Sequence, residues 1–110
     1  MTLYYDREGR PLNTLQWSAL FENLDYRRVA QTVTQSGARV STIWLGLDHS
    51  FGTGPPVIFE TMVFHDGEDF AQDRYATEAE ARAGHDRYVA QFGGPDPNPP
   101  IMAPEARGEL

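Results

Sequence analysis

Residues 28–47 read Arg28-Val29-Ala30-Gln31-Thr32-Val33-Thr34-Gln35-Ser36-Gly37-Ala38-Arg39-Val40-Ser41-Thr42-Ile43-Trp44-Leu45-Gly46-Leu47. Two β-branched runs flank a Ser36-Gly37 pair, the pattern of two antiparallel strands around a tight turn. A two-residue turn there would set Val33 opposite Val40 and Val29 opposite Trp44 on one face. Ile43, Leu45 and Leu47 would then face the other way. A strand apolar on both faces is expected at the centre of a sheet, covered on both sides. Further on, Pro55-Pro56 ends a loop, and Val57-Ile58-Phe59-Glu60-Thr61-Met62-Val63-Phe64 reads as another buried strand. His65-Asp66-Gly67-Glu68-Asp69 reads as a turn-rich acidic connection, and Arg74-Tyr75-Ala76 as a short last strand.

Helices bracket these strands. Asn13 is a good N-cap with Gln16 at the reciprocal position, and Leu12 and Trp17 have staple spacing. Trp17, Leu20, Phe21 and Leu24 then form one apolar stripe of a single core helix. Thr77 and Glu80 form a second capping box. Ala81, His85, Tyr88, Val89 and Phe92 share one face of that helix, Glu78 and Arg82 pair at i, i+4, and Gly93 is placed to close it. Before the first helix, Tyr4-Tyr5, the turn Asp6-Arg7-Glu8-Gly9 and Arg10-Pro11-Leu12 make a short hairpin. The expected fold is α+β: an antiparallel meander of three to four strands with two capped helices and a short N-terminal hairpin. Residues 1–93 would form one domain. Residues 94–110, with their dense prolines, would form an extended tail without its own core.

The chain has 110 residues, 40% of them apolar, with six Phe, five Tyr and two Trp. That supports one packed core and argues against global disorder. A formal charge of −7 disfavours phosphate backbones and anionic lipid, but suits a basic surface on another protein. The nine basic residues are all arginines, dispersed, without a nucleic-acid-binding pattern. Direct nucleic-acid binding is therefore not expected. With no cysteine, disulfides, thiolate metal sites and thiol nucleophiles are excluded. No segment reads as a signal peptide or a membrane span, which implies a cytosolic or virion location.

Asp48-His49-Ser50, inside the loop to Pro56, invites comparison with a nucleophilic triad. Contiguous residues rarely converge as a triad requires, and a tight loop capped by Asp48 explains the composition. Glu60 lies mid-strand, where a carboxylate needs a partner such as Arg39 or Arg74; its alternative role is a general base or ligand-binding group. His49, His65 and His85 lack metal-ligand spacing, so neither a metal nor a cofactor is expected. His85, beside Gly84, reads as a hydrogen-bonded packing residue.

The stretches Val40–Phe51 and Gly54–Phe64, with Arg74-Tyr75-Ala76-Thr77, Glu80-Ala81 and Gly84-His85, resemble a family of small uncharacterised proteins of actinobacterial tailed bacteriophages. The resemblance takes in the opening Tyr-Tyr-Asp and the Trp17 helix and covers most of residues 4–90. It implies a phage-encoded, non-enzymatic binding protein that acts on a host protein, in host takeover or anti-defence. Its partner contacts would come from Glu68, Asp69 and the tail residues Ile101 and Met102. The rival is a small-molecule or hydrolytic pocket built from Trp44, Asp48, His49, Glu60, Arg74, Tyr75 and His85. A minor virion component is the third reading.

Overall fold

The computed structural model describes residues 3–50 and 54–99. The chain runs through β1 (Tyr4–Tyr5), β2 (Pro11–Leu12), α1 (Thr14–Phe21), α2 (Leu24–Arg27), β3 (Arg28–Val33), β4 (Arg39–Trp44), β5 (Phe59–His65), β6 (Glu68–Tyr75) and α3 (Glu78–Gln91). β1 and β2 form the expected hairpin. The remaining strands form a four-stranded antiparallel meander in sequence order. The fold is α+β.

Both capping boxes form. Asn13 accepts from the Gln16 N–H while Gln16 accepts from the Asn13 N–H, and Thr77 and Glu80 exchange the same pair. Each satisfies orphan donors that a helix start leaves open. The expected first helix is in fact two. Asn23 interrupts the stripe and caps α2 by accepting from the Tyr26 N–H, and Leu24, expected in the core, is exposed. An Asn inside an apolar stripe competes with the helix for backbone donors, and here the cap wins.

The β3–β4 register also differs from expectation. Val33 pairs with Arg39 and Thr32 with Val40, because the loop holds three residues, Gln35, Ser36 and Gly37. A bulge between Arg28 and Ala30 shifts the pairing by one more, and Val29 still packs in one cluster with Trp44. β4 stops at Trp44, short of Leu47. Gly46 turns the chain at φ 74°, and a Cβ there would stand 2.4 Å from the Trp44 ring and 2.7 Å from Trp17. β6 is far longer than the short strand expected. Asp66 and Gly67, both at positive φ, form a tight turn that pairs His65 directly with Glu68.

α3 packs against all four long strands. Val40, Val63 and Val89 cluster beneath it with Ala38, while Trp44, Ile58, Phe59, Val29 and Ala81 form a second cluster toward α1 and α2. Alternation puts Ser41, Ile43, Glu60 and Met62 on the opposite face. Ser41, Ile43 and Glu60 are buried there, although no described helix packs on that side. β4 is thus central, and the described helices lie on one of its faces. The tail begins by pairing with the sheet edge: Pro95 bridges to Thr34, and the Asp96 N–H donates to the Val33 carbonyl. Ile101 and Met102 lie outside the described residues.

Candidate functional site

The seven residues of the anticipated pocket fall into separate environments. Asp48 closes its own loop by accepting from the Ser50 N–H at 2.8 Å and the Val57 N–H at 2.9 Å. Burial works against its ionised form, but these donors outweigh it and hold the carboxyl below the usual carboxylate range. His49 Nε2 is buried without a hydrogen-bond partner among the described residues. The Ser50 hydroxyl leans toward Asp48 without completing a bond.

Glu60 lies on the sheet face away from α3. Its Oε2 accepts from Arg74 Nε at 3.0 Å and from Gln72 Nε2. Glu60 and Arg74 are register partners on β5 and β6, so the pleat places both side chains on one face. Gln72, two residues before Arg74, projects the same way. Sequence reading missed it because the last strand was expected to begin only at Arg74. Of the anticipated residues, Glu60 and Arg74 alone are joined directly to each other.

His85 occupies the opposite face. Its Nδ1 is 2.8 Å from Thr42 Oγ1 and its Nε2 is 2.9 Å from Thr32 Oγ1. Thr42 in turn bonds the hydroxyl of its register partner Thr61. The Tyr75 hydroxyl is buried beside Thr61 without completing a bond. This polar strip takes one residue from each of β3, β4, β5 and β6, with the imidazole set into it from α3. Burial pushes the His85 pKa down; Asp86 opposes that and Arg82 reinforces it. The ring is 3% exposed, which leaves no room for a substrate to meet it. The threonine hydroxyls were missed because strand Thr is ordinary; the signal was their recurrence at inward positions facing a helix histidine.

Trp44 is fully buried, and its indole N–H donates to the Tyr5 carbonyl at 2.9 Å. An unanticipated clasp joins the N-terminal hairpin to α3. Arg7 makes two parallel bonds to Glu78, of 2.9 and 2.8 Å, and a third to the Tyr26 carbonyl. A separation of 71 residues gave no local signal for it.

Among the described residues no group of three or more His, Asp or Glu side chains is arranged to hold a metal ion, and no helix is long and apolar enough to cross a membrane. Glu68 and Asp69, at the start of β6, are exposed. Comparison with protein-family models, with curated proteins and with solved structures finds no match for this chain.

Proposed function

We propose that this protein is a non-enzymatic binding protein, of bacteriophage origin, that occupies a basic surface on a host protein. The observation that carries this reading is the internal use of the chemistry-bearing side chains. Asp48 closes a loop, Glu60 is held by Arg74 and Gln72, His85 is enclosed by threonines, and Trp44 ties down the hairpin. A catalytic carboxylate or imidazole must instead reach a substrate proton. The outer charges are left over for recognition. With a formal charge of −7, and with Glu68 and Asp69 exposed at a sheet corner, a basic partner surface is the complementary choice. Phage origin and the host as partner rest on the sequence resemblance.

The test is charge reversal at the corner, Glu68→Arg together with Asp69→Arg. Capture of a host protein from actinobacterial lysate is expected to fall at least tenfold while the melting temperature stays near wild type. Capture that is unchanged by the double substitution rejects the acidic corner as the contact.

A further inference from the structure

The sheet face away from α3 has no described helix over it. Strand pairing and alternation put Val33 of β3, Ser41 and Ile43 of β4, and Met62 and Phe64 of β5 on that face. Ser41 is 3% exposed and Ile43 6%, and Val33, Met62 and Phe64 are half-buried. A sheet face that meets water carries mainly polar residues, and this one is apolar along its middle. Its charge also departs from that of the molecule. Arg28, Arg39 and Arg74 belong to this face against Glu60 and Asp69, on a chain of formal charge −7. The Arg39 guanidinium lies over the Phe64 ring, 4.6 Å from its centroid, and Glu60 is held by Arg74 and Gln72.

The chain delivers its own tail to the rim of this face. The Gln35 N–H donates to the Gly94 carbonyl, Pro95 bridges to Thr34, and the Asp96 N–H donates to the Val33 carbonyl at 2.8 Å. Residues 94–96 therefore run along the outer edge of β3, and Val33 is the first apolar residue they meet. Eleven residues follow Pro99 in the sequence. Extended, they reach about 36 Å, at ~3.3 Å per residue. Three strand spacings of ~4.8 Å carry a chain across the sheet in about 14 Å. Their composition matches the face: Ile101 and Met102 come first, Glu105 and Glu109 follow, and Pro100 and Pro104 favour an extended path.

We propose that residues 100–110 dock on the sheet face away from α3, with Ile101 and Met102 against Met62 and Phe64 and Glu105 toward the arginines around them. The tail is the complementary occupant. A second copy laid face to face would set the same arginine-bearing surfaces against each other, whereas the tail brings apolar anchors and carboxylates. It also continues a contact already made at Val33 and Thr34. Docking of the tail does not depend on the host-protein reading.

The three methionines of the chain are Met1, Met62 and Met102, so ¹³C-methyl labelling of methionine reports on both sides of the contact. In the full chain, cross-relaxation is expected between the Met102 methyl and the Met62 methyl or the Phe64 ring. Ile101→Ser together with Met102→Ser is expected to move the Met62 methyl resonance, and Glu105→Arg to weaken the Met102 contact. The proposal is overturned by the absence of any Met102 contact with Met62 or Phe64, or by a Met62 resonance unchanged in the double variant. An unaltered contact in Glu105→Arg overturns the charge pairing. A contact found only between differently labelled copies in a mixed sample puts a second copy on the face and overturns it as well. So does a Met62 resonance that moves only when host lysate is added, which assigns the face to a host protein.

Discussion

A Cβ on Gly84 would stand 2.1 Å from the Tyr75 hydroxyl oxygen and 2.4 Å from the ring carbon that carries it. α3 approaches β6 this closely because position 84 has no side chain. The same approach brings His85, the next residue, down into the threonine strip.

Gly84→Ala is therefore expected to destabilise the fold. Helix propensity alone favours Ala by about 1 kcal/mol, but displacing a pinned aromatic ring costs about 1–3 kcal/mol. The net loss is expected to reach about 2 kcal/mol by urea unfolding. Tyr75→Phe in the same background restores only part of it, since the ring carbon contact remains. Tyr75→Phe alone is expected to be neutral or slightly stabilising, because it removes a buried hydroxyl that has no bond to lose.

The His85 strip predicts a pH dependence of known sign. Burial lowers the folded pKa below the usual 6.5, so the unfolded chain binds the proton more readily. Stability from this group is complete above about pH 6.5 and declines as pH falls below it. Asp86 and Arg82 act on His85 in opposite directions, while its neighbours on the strands are uncharged hydroxyls. Unfolding free energy measured between pH 7.5 and 5.5 is expected to fall in wild type and to flatten in His85→Gln.

The Arg7–Glu78 clasp has the same sign, at lower pH. Its hydrogen bonds to Arg7, followed by those to Arg82, hold the Glu78 carboxyl below the usual range against the effect of burial. That stability is present above the unfolded carboxylate pKa, about 4.3, and is lost as pH falls through the lowered folded value. Arg7→Ala is expected to cost about 1–2 kcal/mol at pH 7 and to remove part of the acid transition below pH 4.5. A melt whose acid limb is identical in Arg7→Ala contradicts the clasp.

Arg74→Ala leaves Glu60, itself 7% exposed, with Gln72 as its remaining side-chain partner. The expected cost is about 1–3 kcal/mol, and adding Glu60→Gln is expected to recover part of it. Simple addition of the two losses in a double-mutant cycle indicates that the pair is not coupled.

Local signals carried much of the fold. The two capping boxes, the inward strand residues and the Glu78–Arg82 pair all act within a few residues, and each was legible. The β3–β4 register was not, because a third loop residue shifts the pairing by one and a bulge at Val29 shifts it by one more, and neither shift is written in the hydrophobic pattern. β6 was hidden by its charges. Glu68 and Asp69 read as part of an acidic connection, yet an edge strand carries such residues to prevent further pairing; the Asp66-Gly67 pair was the overlooked hairpin signal. At the site, Glu60 and Arg74 were correctly named as possible partners because a buried carboxylate demands one. The separation of Glu60 from His85 follows from strand alternation combined with knowing which face α3 covers, and that face is set by long-range packing.

Recognition of a basic protein surface, with no reaction on the internal polar groups, is the activity we propose for this chain. The direct measurement is quantitative mass spectrometry of what co-purifies with tagged wild type and with the Glu68→Arg, Asp69→Arg variant from host lysate. One host protein is expected at a fixed ratio to wild type, depleted at least tenfold with the variant. Absence of any stoichiometric protein, or equal recovery with both, contradicts it.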